Sequence, residues 1–165
     1  MPDGEEEAAA RLAAVGVDLS RVEFRPYSPD YLEQYRDVDI ALDTTPFTGG
    51  LTTCEALVMG VPVISLKGTT HAARMGTSIL ENAGLPELVA ANGLEYVRKA
   101  ARIAGSMQIL VKFHGGLREV VRGSRLMDAK RYMRNVETLY RDLWKEYCTG
   151  GPKPKNEARK FFHGP

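Results

Sequence analysis

The chain has 165 residues, a length that suits one compact domain, and its 22 Lys and Arg against 21 Asp and Glu leave a net charge of +1. Nucleic-acid binders normally carry a clear basic excess, so that class is disfavoured. Two cysteines, Cys54 and Cys148, are too few for a disulfide framework or a four-ligand zinc site. Because no window approaches the roughly 20 apolar residues of a membrane span and the N-terminus lacks a secretory signal, we expect a cytoplasmic protein with no membrane partner.

The beginning of the chain is predicted to contain two helices and two strands. Residues Glu5 to Val15 read as a helix with glutamates in its first turn, where the helix dipole favours negative charge. Val22 to Phe24 read as a short strand, and Ser28 is placed to cap a second helix that ends near Tyr35. The apolar run Val38 to Leu42 is typical of a buried parallel strand.

The middle of the chain alternates between strand and helix signals. A helix begins at Thr52 and ends at Gly60, a strand covers Val61 to Leu66, and a helix follows from about His71 to Asn82. This order is typical of right-handed parallel βαβ units. The sequence therefore predicts an α/β fold of the Rossmann-like, three-layer type, in which helices flank a parallel sheet.

From Gly93 onward the pattern is helical. Helices are predicted over Leu94 to Ile103, Met107 to Arg122 and Asp128 to Tyr147, and no further strand pattern follows. The last helix carries one apolar stripe, formed by Tyr132, Val136, Leu139, Leu143 and Tyr147. We expect residues 1–148 to form a single domain with a helical C-terminal arm, and residues 149–165 to form a flexible tail.

The loop before Thr52 has the composition of an anion-binding site. Gly49 and Gly50 let a backbone approach a ligand closely. The free N–H groups of Thr52, Thr53 and Cys54 at the start of the following helix favour an anion such as phosphate. The hydroxyls of Thr52 and Thr53 add hydrogen bonds, and Glu55 is placed to accept hydrogen bonds from ribose hydroxyls. The alternative is an ordinary glycine turn followed by a threonine N-cap.

The glycine loop and the segments on either side of it resemble one family, the O-linked N-acetylglucosamine transferases and SPINDLY-type protein glycosyltransferases. The resemblance is to the C-terminal, UDP-binding half of these proteins. The resemblance covers roughly residues 20 to 150. It rests on Asp39 to Thr44, Gly49 to Leu57, Met59 to Val63, His71 to Ser78, Gly84 to Ala90, Glu95-Tyr96, Leu139-Tyr140 and Trp144.

The resemblance implies a GT-B fold, two Rossmann-like domains that face each other across a cleft, of which this chain would be the C-terminal half. Carried over by position, the backbone of Gly49 and Gly50 and the side chains of Thr52 and Thr53 would hold the UDP diphosphate. Glu55 would bind the ribose. The donor would be UDP-GlcNAc or a related UDP-sugar, with no further cofactor.

Other matched positions would complete the nucleotide site. Tyr31 lies where the family usually has a histidine that stacks on uracil, and a tyrosine can stack in the same way. The backbone near Arg25 and Pro26 would face the edge of the base. Two positions depart from the family pattern, since Leu51 replaces a usual threonine and Thr48 replaces a usual asparagine.

Cations near the next loop are further candidates. Arg74, with His71 at the start of its helix, would reach a phosphate or else form a surface salt bridge. Lys67 stands where the family tends to have proline, and its ammonium would approach the diphosphate. His114 is read as a structural or exposed residue, and Cys54 as a small core residue.

The resemblance also implies what lies outside this chain. In the family, a further strand and a lysine that contacts the diphosphate precede the position of Met1, as does the N-terminal half that binds the acceptor protein. We therefore assign no catalytic residue and expect little or no transferase activity from the chain alone. Metal independence is expected because no Asp-x-Asp pair lies at the phosphate loop; Asp37 and Asp39 stand at a strand entrance.

Two other functions stay open. The chain would be a non-catalytic half-Rossmann module that assembles through its helical arm, or through an exposed sheet edge that invites formation of a homo-oligomer. Alternatively it would belong to a GT-B enzyme with another nucleotide sugar, because Tyr31 would stack on any base.

Overall fold

The computed structural model describes residues 2–150, and these form two compact units that divide between Gln34 and Tyr35. The predicted tail lies outside the described residues apart from Thr149 and Gly150, which form a turn. None of the helices in the described range is long and apolar enough to cross a membrane.

The first unit contains the predicted N-terminal helix, α1 (Pro2–Ala14). A one-turn 3-10 helix at Leu19–Arg21 follows, capped by the Asp18 carboxylate, which accepts the N–H of Ser20 at 3.0 Å. The predicted strand at Val22 to Phe24 is wrong, because this segment has no paired neighbour. Strand propensity in three residues does not make a strand when no ladder partner is present.

The second predicted helix is a 3-10 helix, Tyr31–Asp37, rather than an α-helix, and it spans the division between the two units. Ser28 does accept a hydrogen bond from the N–H of Asp30 at 3.2 Å, but a turn at Pro29 and Asp30 separates it from the helix. The predicted cap is therefore wrong as well as the helix type, because the hydrogen bond of Ser28 closes a turn before the helix and does not satisfy its first N–H groups.

The second unit is built on a small parallel sheet of three strands in the order β1-β2-β3. They are β1 (Ala41–Leu42), β2 (Val63–Leu66) and β3 (Val89–Ala90). Ala41 pairs with Val63, and Ser65 pairs with Val89. The predicted parallel arrangement is confirmed, although β1 is shorter than the predicted run and β3 was not predicted, since two residues give no periodicity.

In the described range, the second unit also contains five α-helices: α2 (Leu51–Val58), α3 (Met75–Asn82), α4 (Gly93–Ala104), α5 (Met107–Arg122) and α6 (Ala129–Cys148). The predicted helix at His71 begins as a 3-10 turn, Ala72–Arg74, before it becomes α3. Gly60 closes α2 with a φ of +90°, a conformation that side chains disfavour. Asn92, Ser106 and Asp128 cap the last three helices.

The hydrophobic core of the second unit surrounds β2. Ile64 at its centre is fully buried, and so is Leu80 of α3. The largest buried side chains besides these two come from helices α2, α4 and α5 and from the connections between elements: Leu57, Val61, Leu88, Ile103, Leu117 and Val121. The packing of the helices against β2 thus fixes the ends of the strands, and with them the loops that follow β1 and β2.

Helix α6 differs from α2, α3, α4 and α5 because it has no buried residue. Of its predicted stripe, Val136 is half-buried and the remaining four are exposed, with Leu139 at 59%. Trp144 and Tyr147 stack on each other with ring centroids 5.7 Å apart. The helix was predicted correctly, but its apolar stripe stays open to solvent in the described part of the chain.

The core assignment leads to a paired test. Leu80→Ala would remove a buried side chain and lower the free energy of unfolding by about 2–5 kcal/mol, since the cavity would refill only in part. Leu139→Ala, an identical change on α6, would alter it by less than about 0.5 kcal/mol. Urea unfolding of the two variants checks this, and equal losses would mean that α6 is packed in solution.

Candidate functional site

An open cavity of about 470 Å³ lies at the carboxyl end of β1, where residues 43–50 lead into α2. Four of the predicted diphosphate-binding residues line it: Gly49, Gly50, Thr52 and Thr53. Exposed apolar side chains, Phe47 at 69% and Leu51 at 73%, form part of the same wall. Ligands of parallel α/β sheets bind at this end of the strands.

The two threonine hydroxyls converge over Gly49. A Cβ atom built on Gly49 would lie 2.5 Å from the Oγ1 of Thr53 and 3.0 Å from the Oγ1 of Thr52. Any side chain at Gly49 would therefore displace them. Thr52 is exposed and Thr53 is 3% exposed, so Thr52 is the more accessible of the two threonines that line the cavity.

The backbone at the start of α2 offers unpaired donors. Within residues 2–150, the N–H groups of Gly50, Leu51, Thr52 and Thr53 have no hydrogen-bond partner. The N–H of Cys54, which the sequence analysis placed among the free donors, instead donates to the Gly50 carbonyl at 3.3 Å. Unpaired N–H groups at a helix start, together with the helix dipole, form an anion-binding site.

Gly49 itself does not contribute a free N–H group, because it donates to the Oδ1 of Asp43 at 2.7 Å. Asp43 is only 8% exposed, and its Oδ2 accepts a hydrogen bond from the hydroxyl of Ser65 at 2.6 Å. Its backbone carbonyl accepts a hydrogen bond from the Tyr96 hydroxyl at 2.8 Å. Burial, assisted by the charge of Asp43, raises the pKa of Tyr96, so this phenol stays protonated at neutral pH.

Thr48 ties the same loop to α3. Its side chain is fully buried, and its hydroxyl donates to the Ala72 carbonyl at 2.8 Å and accepts the N–H of Gly76 at 3.1 Å. The buried hydroxyl of Thr48 thus both donates and accepts a hydrogen bond inside the protein. The loops that follow β1 and β2 are held to each other by these bonds.

Glu55 lies on α2, is half-buried and does not line the cavity. Burial raises the pKa of Tyr35, and the negative charge of Glu55 raises it further. Tyr35 lines the cavity, so the charge of Glu55 acts on one residue of the cavity wall. Its predicted contact with ribose stays a prediction.

Arg74 lines a second cavity, of about 520 Å³, rather than the first. Lys67 and His71 line the same second cavity, and all three side chains are exposed. Met75 stands between the two cavities, since a Cβ atom on Gly50 would lie 2.9 Å from its terminal methyl group. The structure therefore groups these predicted cations together but apart from the glycine loop.

Tyr31 belongs to the other compact unit and is 40% exposed. In that unit, Arg25 donates to the Glu23 carboxylate at 2.9 Å. Stacking of Tyr31 on a base and contact of the Arg25 and Pro26 backbone with its edge stay predictions. Among the described residues, no group of three or more His, Cys, Asp and Glu side chains is arranged to hold a metal ion.

Sequence reasoning missed four residues of the site: Asp43, Ser65, Gly76 and Tyr96. A signal existed for Asp43, which directly follows the β1 run and precedes the glycine loop. Gly76 and Ser65 could not be found this way, because only the packing of α3 against β2 shows that a Cβ atom on Gly76 would overlap the Asp43 carboxylate. Spacing along the chain does not reveal such a contact.

Comparison with known proteins agrees with this geometry. The sequence pattern of glycosyl transferase family 41 matches residues 2–136. A probable UDP-N-acetylglucosamine–peptide N-acetylglucosaminyltransferase SPINDLY from Solanum lycopersicum is 39% identical over 142 residues, 84% of this chain. A UDP-N-acetylglucosamine–peptide N-acetylglucosaminyltransferase from Caenorhabditis elegans is 30% identical over 151 residues, 90% of this chain.

A solved structure has the same fold. A Thermobaculum terrenum O-GlcNAc transferase mutant superimposes with a TM-score of 0.81 at 34% sequence identity, covering 91% of this chain and 29% of that chain. The parallel sheet with flanking helices and a glycine loop at its carboxyl end is thus part of a GT-B glycosyltransferase fold. The chain belongs to glycosyl transferase family 41, and the predicted resemblance and fold class are confirmed.

The chain spans a small part of its relatives. It covers 15% of the length of the Solanum protein and 13% of the Caenorhabditis protein. The activity of a whole transferase therefore does not follow from membership alone.

The close approach of α3 to Asp43 can be tested by a substitution that adds a single methyl group to α3. Gly76→Ala would place a Cβ against the Asp43 carboxylate and 2.5 Å from the Oγ of Ser65. We expect a loss of about 1–3 kcal/mol in the free energy of unfolding, because the neighbours are buried and cannot move freely.

Gly115→Ala provides the matched control. A Cβ at this position in α5 meets nothing within 4 Å, so the change should stabilise the helix by about 0.5–1 kcal/mol. Thermal and urea unfolding measure both variants. A neutral Gly76→Ala would contradict the packing described for the site.

Proposed function

We propose that the glycine loop binds the diphosphate of a UDP-sugar and that the chain is the donor-binding part of a protein O-glycosyltransferase. The observation that carries the proposal is the set of four unpaired N–H groups beside the Thr52 hydroxyl, all at an open cavity. The names of the relatives, UDP-N-acetylglucosamine–peptide transferases, support UDP-GlcNAc as the donor and a protein as the acceptor.

In this proposal the loop stabilises the leaving group. Transfer of the sugar to a Ser or Thr hydroxyl leaves negative charge on UDP, and fixed backbone donors at a helix start are suited to stabilise charge that develops there. Glu55 binds the ribose and Tyr31 stacks on uracil. The proposed reaction inverts the anomeric centre and uses no metal ion, with the charge of the diphosphate met by the loop.

Transferase activity is proposed only for this chain in combination with an N-terminal half like that implied by the resemblance, and not for these 165 residues alone. The curated relatives are several times longer, since this chain covers 15% of the Solanum protein. We expect the isolated chain to bind UDP and to transfer little or no sugar.

Thr52→Ala would remove a hydroxyl that faces the cavity, and Glu55→Ala the proposed ribose acceptor. Each should weaken UDP binding by about 1–3 kcal/mol, which is roughly 5- to 150-fold in Kd, because the ligand group would lose its partner. Calorimetric titration of the chain with UDP measures this. Thr138→Ala on α6 is the matched control and should bind UDP as the unchanged chain does.

The identity of the nucleotide is tested in the same titration. UDP should bind at least about tenfold more tightly than GDP or ADP, a difference of about 1.4 kcal/mol, if the donor is a uridine nucleotide. Tighter binding of GDP or ADP would still support a nucleotide-sugar transferase, but it would contradict a uridine nucleotide as the donor. Absence of binding for all three nucleotides would leave the assembly module as the better function, a reading that the exposed apolar stripe of α6 favours.

A further inference from the structure

The buried carboxylate beneath the glycine loop has a role that the sequence did not suggest. Asp43 lies directly after β1, and its own N–H donates to the Ile64 carbonyl of β2 at 2.9 Å, so its backbone is fixed by the sheet. Both carboxylate oxygens then reach sideways, one to Gly49 and one to Ser65. The side chain thus connects the rigid sheet to the loop at one point.

The position of Gly49 determines the geometry of the site. The Oγ1 atoms of Thr52 and Thr53 lie close over Gly49, and the unpaired N–H groups begin at the next residue. A rotation of the peptide unit before Gly49 would move these donors together. The hydrogen bond to Asp43 opposes that rotation because its acceptor is buried and held by Ser65.

A carboxylate at this place is otherwise unfavourable for the proposed ligand. Asp43 and a bound diphosphate would both be negatively charged, and like charges at short range repel in a partly buried site. If Asp43 affected the ligand only through its charge, removing that charge would tighten binding. A role in holding the loop predicts the opposite result when the side chain is removed.

We propose that Asp43 is a positioning residue that holds the glycine loop in its anion-binding shape before any ligand arrives. That Asp43 fixes the shape of the loop is inferred from the Gly49–Asp43 hydrogen bond. That this shape matters for UDP binding rests on the proposed function. Asp43 does not bind the ligand. It consumes the N–H of Gly49 and so determines which backbone donors remain for the phosphates.

Two substitutions separate the hydrogen bonds from the charge. Asp43→Asn keeps an oxygen that accepts from Gly49 and gains an N–H that donates to the Ser65 hydroxyl, so the loop keeps its shape without the charge. Asp43→Ala removes both bonds. If positioning is the role, the asparagine variant rescues the site and the alanine variant does not; if charge is the role, both variants shift UDP affinity in the same direction.

The first measurement is amide hydrogen exchange on the ligand-free 165-residue chain. In the unchanged chain the Gly49 amide should be protected, in Asp43→Asn it should stay within about threefold of that rate, and in Asp43→Ala it should exchange at least about tenfold faster. Equal exchange of Gly49 in all three proteins overturns the inference. This readout does not depend on UDP.

The second measurement compares the affinities for UDP and for uridine. Asp43→Ala should weaken UDP binding about tenfold or more and leave uridine binding unchanged, because only the phosphates use the loop. Asp43→Asn should bind UDP as well as or better than the unchanged chain. Val121→Ala, a core change in α5 far along the chain, controls for lost stability and should leave both affinities unchanged.

The outcomes separate this inference from the function on which it rests. An unchanged chain that binds no UDP but protects Gly49 through Asp43 would refute the proposed donor and uphold the positioning role. UDP binding that is unchanged in Asp43→Ala would refute the positioning role and uphold the proposed function.

Discussion

The site depends on one requirement: backbone N–H groups bind an anion well only if the backbone that carries them is already fixed. Asp43 meets this requirement on one side of the loop and Thr48 on the other. Both side chains are buried, and their partners come from β2 and from the start of α3. A loop held in this way loses little conformational entropy when a ligand binds, so more of the interaction energy remains as affinity.

The same requirement explains why α3 must approach the loop so closely. Gly76 allows its own N–H to reach the Thr48 hydroxyl while the Asp43 carboxylate occupies the space where a Cβ would be. Strand β2 sets the distance, since it lies between β1 and β3 and carries Ser65. The short strands are sufficient because helices α2 to α5 contribute buried apolar residues to the same core.

Much of this could be predicted from the sequence where the signal is local. The helices α5 and α6, the strand at β2, and the glycine loop with Thr52 and Thr53 follow from periodicity and turn residues that lie next to each other in the chain.

The failures have a common cause. The absent strand at Val22 to Phe24, the two-residue β3, and the pairing of Asp43 with Gly49 and Ser65 depend on contacts that form only after the chain has folded. The contact of Arg74 with a phosphate stays a prediction, and the structure places Arg74 in the second cavity, beside Met75.

Helix α6 has consequences for how the protein unfolds. None of its 20 residues is buried. Its charged side chains form ion pairs within the same helix, such as that between Glu137 and Arg141. A helix supported by its cap and by such surface pairs is only marginally stable in water, because helix stability in proteins comes mainly from packing. Because α6 adds no buried side chain to the core around β2, local unfolding of this helix would cost little free energy. The exposed aromatic side chains of α6 are Tyr132, Tyr140, Trp144 and Tyr147. A surface that covered them would also stabilise the helix, so that binding to α6 and folding of α6 would be coupled.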